Sequence, residues 1–239
     1  MAGKSYRRVL LKLSGETLSG TTQSGIDPGA LGFLVSEIAD ARKACKEIGI
    51  VLGGGNIFRG IRASGYSIEK KTGDYMGMLA TIINGLALRD ALRSKGIGAE
   101  ILSSVDMAPI AEGYSPAKAS EFLDAGKVVI FAGGTGHPFF TTDTAAALRA
   151  LEIGAEILMK ATKVDGVFSA DPVKDKKAKK YDTLFYDEVI SKKLSVMDLT
   201  AVALARDNGL PIRVFDFFRK GSLKKALLKE KIGSIVKGG

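Results

Sequence analysis

The sequence predicts an α/β fold: a three-layer αβα sandwich around a mostly parallel sheet. Three observations lead there. Short runs rich in β-branched residues and leucine alternate with longer amphipathic stretches, which is the pattern of strands joined by crossover helices. The alternation runs through all 239 residues without an internal repeat or a long linker, so a single domain over 1–239 is expected. Glycine clusters recur where strands end, at Gly15, Gly53–Gly55 and Gly133–Gly136. Ligands of open α/β sheets bind beyond the carboxyl ends of strands, so three glycine-bearing exits suggest one composite site.

The elements follow in order. Arg7–Lys12 reads as a strand, and Ser14-Gly15 as the turn after it. Pro28–Glu47 has helical periodicity, with Leu31, Leu34, Val35, Ile38, Ala41 and Ala44 on one stripe. Asp27 is suited to cap that helix and Pro28 to its first turn. Ile48–Leu52 is a short strand that runs into Gly53-Gly54-Gly55-Asn56. Asp74–Arg93 is expected as a long helix with Asp74 as its N-cap, and Ala99–Ser103 as a strand. Ser115-Pro116 opens a helix to about Asp124, and Lys127–Ala132 is a buried strand. Thr141 and Thr142 cap a helix to about Leu151, followed by strand Ala155–Ala161 and a hairpin turn at Val164–Val167. Helices are expected at Tyr186–Lys192, Met197–Asn208 and Ser222–Lys229, and strands at Pro211–Phe215 and Ser234–Lys237. Arg62–Gly73 and Asp171–Lys180 are the segments expected to be mobile.

Composition narrows the chemistry. With 46% hydrophobic and 26% charged residues the chain is ordinary globular protein. Lys and Arg number 35 against 26 Asp and Glu, a formal charge of +9. That balance suits an anionic partner. However, its densest stretches, Lys174–Lys180 and Arg219–Lys231, lack the interleaved aromatics that stack bases, so solvated lysine faces are the better reading and a nucleic-acid partner is not expected. One cysteine, Cys45, rules out an intramolecular disulfide and a multi-Cys zinc site, and one histidine, His137, rules out a multi-His metal centre. No protein-held metal site is expected. No apolar run approaches the roughly 18 residues of a membrane span. Met1–Ser5 leads straight into a strand, so a cytoplasmic protein with no membrane partner is expected.

Four motifs carry chemistry. Lys12-Leu13-Ser14-Gly15-Glu16 can set an ammonium beside phosphate oxygens that face bare backbone N–H groups. It is neither a Walker A loop nor GxGxxG. Gly53–Gly60 (GGGNIFRG) allows close backbone approach to an anion, with Arg59 adding a charge-assisted contact. Gly133–Asp143 (GGTGHPFFTTD) joins a strand exit to a helix start. Asp143 there fits two roles: a first-turn carboxylate favoured by the helix dipole, or a group that orients lysines or a Mg²⁺-bound nucleotide. His137 could serve as a base, but an already anionic phosphate acceptor needs none. Lys160–Pro172 places a second lysine at a strand end. Lys12 and Lys160 could bracket a transferring phosphoryl group, a reaction that proceeds by positioning and charge neutralisation. Met76, Met78, Met107, Met159 and Met197 read as packing residues, and Cys45 as inert.

Together the motifs resemble the bacterial uridylate kinases of the amino acid kinase superfamily. The likeness covers nearly the whole chain: LLKLSGE at 10–16, GGGNIFRG at 53–60, GDYMGMLAT at 73–81, NGLALRDAL at 84–92, FFTTD at 139–143, KATKVDGVFSADP at 160–172, VMDL at 196–199 and LPIRVF at 210–215. The resemblance implies an eight-stranded sheet and transfer of the γ-phosphoryl of ATP to UMP in pyrimidine nucleotide biosynthesis. It implies catalytic roles for Lys12, Lys160 and Asp143. ATP would meet Lys12, Leu13, Ser14, Gly15, Gly55 and Arg59 through its phosphates, and Thr162, Phe168 and Asp171 through its adenosine. UMP would meet Gly54, Asp74 and the run Thr135, Gly136, His137, Pro138, Phe139, Phe140, Thr141 and Thr142. Asp198 is placed near the nucleotide. The part from about residue 155 would serve mainly ATP, and the part before it mainly the acceptor. Mg²⁺ held by ATP phosphates, a homohexamer, GTP activation and UTP inhibition are further implications. Two features depart from the family pattern: His137 stands where Asn is common, and Ile48–Leu52 is short. Two alternatives stay open, a carboxylate kinase of the same superfamily and a basic nucleic-acid-binding regulator without turnover.

Overall fold

In a computed structural model, which describes residues 5–22, 24–58 and 67–239, the chain folds around one large twisted sheet. Its strands are β1 (Arg8–Leu13), β2 (Glu47–Leu52), β3 (Ala99–Ser103), β4 (Glu112–Gly113), β5 (Val128–Ala132), β6 (Ile157–Thr162), β9 (Thr183–Phe185), β10 (Ile212–Asp216) and β11 (Ser234–Lys237). A separate antiparallel ribbon pairs β7 (Val167–Phe168) with β8 (Lys180–Tyr181). The helices are α1 (Glu16–Ser19), α2 (Pro28–Ala41), α3 (Lys70–Arg93), α4 (Pro116–Asp124), α5 (Thr142–Glu152), α6 (Tyr186–Ser191), α7 (Leu199–Asp207) and α8 (Ser222–Leu227).

The strand order is β4-β3-β5-β2-β1-β6-β10-β11-β9. Every pairing is parallel except β10 with β11. The large sheet thus has nine strands among the described residues where eight were expected. The two-residue edge strand β4 is among those with no expected counterpart; a stretch of two residues has no periodicity to read.

The central position of β1 follows from its sequence. RVLLKL is apolar on both faces, as a strand covered on both sides must be. Val9, Leu11 and Leu13 point into a core shared with Leu34, Val35 and Ile38 of α2, Ile82 and Leu88 of α3, and Leu223 and Leu227 of α8. Leu10 points into the opposite core, with Leu123 of α4, Ala146 and Ala150 of α5, Val189 of α6 and Val202 of α7. Truncating one of these fully buried leucines to alanine costs about 2–5 kcal/mol. Strand alternation then sets the next residue on the α5 side: Lys12 follows Leu10 by two.

Several helix starts obey local chemistry. Asp27 accepts from the Ala30 N–H at 2.7 Å with Pro28 in the first turn, and Ser115 accepts from Lys118 N–H at 3.3 Å ahead of Pro116. The α2 stripe is buried as expected at Leu34, Val35, Ile38 and Ala41. The helix itself stops at Ala41, six residues before the expected end, and β2 gains Glu47, so the strand before the glycine triplet has six residues.

Three expectations are corrected. Helix α3 starts at Lys70 with Glu69 as its cap, so Asp74 lies inside the helix and caps nothing. Of the Arg62–Gly73 segment, 62–66 lie outside the described residues, while Lys70–Gly73 form the first turn of α3. The hairpin does not turn at Val164–Val167: Val167 and Phe168 are one of its arms, paired with Tyr181 and Lys180. Among the methionines Met78, Met159 and Met197 are buried, and Cys45 is buried with its thiol pushed up to about 11 by desolvation.

Candidate active site

The carboxyl ends of β1 and β6 deliver the two strand-end lysines. Lys12 and Lys160 are register partners across this parallel pair, so their side chains leave the same face. That face is covered by α5, whose first turn carries Asp143. Lys12 Nζ lies 2.6 Å from Asp143 Oδ1, and Lys160 Nζ donates to Asp143 Oδ2 at 2.9 Å. Lys160 Nζ also donates to the Val196 carbonyl at 2.6 Å. The two ammoniums outnumber the carboxylate they share.

The electrostatics are those of a desolvated cluster. Burial raises the Asp143 carboxyl, but Lys12 and Lys160 outweigh it and hold the group below the usual carboxylate range. Burial lowers the Lys160 ammonium; the attraction of Asp143 only partly opposes it, and Lys12 adds to the lowering. Asp143 has the contacts of both expected placements. It sits at the positive end of α5, where a carboxylate is favoured, and it pairs with both lysines.

A second clasp fixes the start of α5. Thr141 is its N-cap, accepting from Asp143 N–H at 3.0 Å and Thr144 N–H at 3.4 Å. Its hydroxyl donates to Asp198, as does that of Thr144 at 3.0 Å. Asp198 also caps α7 by accepting from Ala201 N–H at 2.8 Å. The VMD turn thus holds Lys160 through the Val196 carbonyl and α5 through Asp198.

The glycine exits pack against one another. A methyl group on Gly15 would come within 2.5 Å of Asn56 Oδ1 and 2.7 Å of Gly55 N, and one on Gly54 within 2.7 Å of the Ala80 Cβ and the Gly77 carbonyl. Bare backbone lets the turn after β1 nest into the turn after β2, and lets the latter lie flat on α3. This adds a packing reason to the expected ligand-facing one.

Beside these turns opens a cleft of about 360 Å³, within the range of small-ligand sites. Gly54, Gly55, Asp74, Thr135, Phe140, Thr141 and Thr142 line it, together with Phe58, Gly73, Gly77, Met78, Thr81 and Gly134. Asp74 Oδ2 accepts from Phe139 N–H at 2.8 Å and faces Lys70 Nζ at 3.2 Å, so it ties the loop after β5 to α3. Phe139 itself has φ +73°, a left-handed conformation costly for an aromatic residue, held by that bond.

Not every expected residue gathers here. Gly136, Pro138 and Phe139 are outside the cleft lining, and His137 lines a neighbouring cleft with Ser104 and Arg149. The Leu13 side chain is in the core, so only its backbone can serve a ligand. The Thr162 hydroxyl donates to the Val164 carbonyl at 2.6 Å, with the Phe215 carbonyl 3.2 Å away. Phe168 and Asp171 belong to the β7–β8 ribbon and its loop, where Asp171 accepts from Val173 N–H at 2.9 Å. Lys163 pairs with Glu16 at 3.1 Å, joining that side to α1. Arg59 lies outside the described residues. Thr81 went unforeseen: its hydroxyl accepts from Gly133 N–H at 2.8 Å and so anchors the exit of β5 on α3.

Fold and site together define a class: a doubly covered α/β sheet whose strand exits suit phosphate groups without a Walker loop. Residues 7–216 match the amino acid kinase family, and the chain belongs to that family. It is similar to the uridylate kinases of Legionella pneumophila strains Corby and Philadelphia 1, each 53% identical over 231 residues, covering 97% of this chain and 94% of the relative. Among solved structures it is similar to UMP kinase from Bacillus anthracis, with TM-score 0.94, 39% identity and coverage of 98% and 96% of the two chains. UMP kinase from Ureaplasma parvum follows the same fold at TM-score 0.91, 35% identity and coverage of 97% and 99%.

Proposed function

We propose that this protein transfers the γ-phosphoryl group of ATP to UMP, giving UDP and ADP, and acts in pyrimidine nucleotide biosynthesis. One observation carries the reading: Lys12 and Lys160, on adjacent central strands, converge on one shared carboxylate next to a nucleotide-sized cleft. The 53% identity to uridylate kinases supports UMP as the acceptor.

In this reading UMP occupies the cleft, its phosphate toward Gly54 and Gly55 and its ribose hydroxyls donating to Asp74. The run 135–142 encloses it. ATP lies on the other side of Lys12, with phosphates at Ser14, Gly15 and Arg59 and adenosine toward Thr162, Phe168 and Asp171. Lys12 and Lys160 neutralise the charge that spreads over the transferring group, and Asp143 holds them in place. Transfer is direct and in line; the UMP phosphate is already an anion, so His137 has no proton to remove.

Mg²⁺ fits as a partner of the ATP phosphates. Both oxygens of Asp143 face lysines and those of Asp198 face hydroxyls, so the local carboxylates are engaged. Mg²⁺ would then be held by ATP phosphates and water rather than by these side chains, and would supply charge neutralisation. A cytoplasmic homohexamer, with GTP and UTP as effectors, completes the reading. The exposed apolar residues Tyr75, Leu79 and Ile83 on α3 support assembly through that helix. Among the described residues no helix is long and apolar enough to cross a membrane.

The test is ADP release with an acceptor panel. UMP should support turnover, while CMP, glutamate and N-acetylglutamate should not. Turnover on an amino acid would shift the assignment to a carboxylate kinase, and salt-sensitive DNA binding without turnover to a regulator.

A further inference from the structure

Two asparagines that the mechanism above leaves unused meet under the glycine turns. Asn84, on α3, is fully buried, and Asn56, after the glycine triplet, is 2% exposed. Their carboxamides pair head to head: Asn56 Nδ2 donates to Asn84 Oδ1 at 3.0 Å, and Asn84 Nδ2 donates to Asn56 Oδ1 at 2.7 Å. The remaining hydrogens go outward. Asn84 Nδ2 donates to the Gly53 carbonyl and Asn56 Nδ2 to the Gly25 carbonyl, both at 2.8 Å. All four amide hydrogens have acceptors, as two buried carboxamides require.

What the pair touches gives it meaning. Gly53 N–H donates to the Leu13 carbonyl at 2.9 Å, so the turn held by Asn84 is also stitched to the exit of β1. Asn56 Oδ1 lies under Gly15, where a methyl group would come within 2.5 Å of it. Asn56 is bonded to Gly25 twice, since its own carbonyl accepts from Gly25 N–H at 2.8 Å. One carboxamide pair therefore contacts both glycine exits that flank Lys12, and a separate surface turn.

We infer that Asn56 and Asn84 are positioning residues: their carboxamide clasp braces the turn at Gly53, so setting the phosphate-facing backbone of Gly15 and Gly54–Gly55, and couples it to the turn at Gly25. This rests on the reading of those glycine turns as phosphate-facing. Backbone N–H groups act on a transferring phosphoryl only if they are already placed, and a shift near 1 Å costs about 10²-fold in rate. The clasp supplies that placement from behind, touching no substrate.

The test uses the full chain with Asn84→Asp, which keeps the shape but withdraws both donated hydrogen bonds. Since a buried carboxylate threatens folding, Asn84→Ser is made in parallel. In a folded variant kcat should fall about 10²-fold, with KM for ATP and for UMP each changing less than about threefold. Hydrogen exchange over the peptide containing Gly25 should quicken. Lys12→Ala is the control for the underlying reading. If Lys12→Ala lowers kcat by about 10²-fold or more while a folded Asn84 variant keeps kcat within about twofold, the clasp proposal fails alone. If Lys12→Ala leaves turnover intact, the site reading itself fails and takes the proposal with it. Loss of the folded state in both Asn84 variants would also overturn it, making the pair a folding element.

Discussion

Lys12 and Lys160 occupy paired positions on adjacent parallel strands, and each places its ammonium on a different oxygen of Asp143. The fold thus brings two like charges together at the mouth of the sheet, a costly arrangement that the single carboxylate does not fully offset. In the proposed reaction a phosphoryl group in transfer would supply the missing negative charge. Lys12→Ala should lower kcat by about 10²–10³-fold, the scale of losing one preorganised donor to a developing anion. The melting temperature should change by only a few degrees, because Asp143 keeps Lys160. Steady-state kinetics beside thermal unfolding checks this; unchanged turnover removes Lys12 from the mechanism.

Lys160 predicts the alkaline limb of activity. Burial lowers its folded-state pKa from the ordinary 10.5, with Asp143 opposing and Lys12 reinforcing. In the proposed mechanism the active form is protonated, so activity should fall as pH rises through that lowered value, earlier than for an exposed lysine. Lys160→Arg carries a charge that does not titrate there. It should be slower at neutral pH, yet its limb should move to higher pH. Identical limbs in the two proteins would assign the titration elsewhere.

Asp143 gives the corresponding acid-side signature in stability. Its folded pKa is lowered: burial pushes up, and the two lysines override it. Stability from that shift is fully present above the unfolded value, near the ordinary 3.8, and is lost as pH falls through the folded value. Wild type should unfold at a higher temperature than Asp143→Asn at pH 7, and the gap should close as pH drops below about 4. A gap independent of pH would place the stabilisation in something other than this ionisation.

Lys12, Lys160 and Asp143 were legible in the sequence because the signal of each is local. A lysine ending an apolar strand is conspicuous, and an aspartate just inside a threonine cap has a known dipole reason to be there. The β1 run, Asp27-Pro28 and Ser115-Pro116 were legible for the same reason, since their chemistry is complete within a few residues. What escaped depends on partners far along the chain. Thr81 meets Gly133 across 52 positions, and Asn84 meets Asn56 across 28. A hydroxyl or carboxamide within a helix has no periodic signal to announce that. Asp74 was misplaced as a cap because an acidic residue after glycine imitates a helix start; its real partners are Lys70 one turn back and the Phe139 amide.

That geometry sharpens what Asp74→Asn should do. The amide oxygen can still accept from Phe139 N–H, so the loop after β5 keeps its tether. The charge facing Lys70 is lost, and one acceptor oxygen fewer remains for the ribose hydroxyls of the proposed site. KM for UMP should rise about tenfold or more, as losing one charged hydrogen bond of 1.5–3 kcal/mol implies. KM for ATP should move much less. Initial-rate kinetics with each substrate varied in turn decides it, and a larger effect on ATP would contradict the site map.

Helix α3 has two apolar faces. One, with Met78, Ile82, Leu88 and Leu92, is buried on the sheet. The other carries Tyr75, Leu79 and Ile83 at four-residue spacing, 42%, 46% and 48% exposed. Successive turns of one helix present them as a single stripe. An apolar stripe of that regularity on the helix that also lines the acceptor cleft fits contact with a second copy of the chain. Sedimentation velocity at micromolar concentration should show wild type as an oligomer. Leu79→Glu, which sets a charge in the middle of the stripe, should yield a smaller species. Its far-ultraviolet circular dichroism should be unchanged, because Leu79 does not face the core. A monomeric wild type would remove this face from the assembly, and an oligomer indifferent to Leu79→Glu would move the interface to another surface.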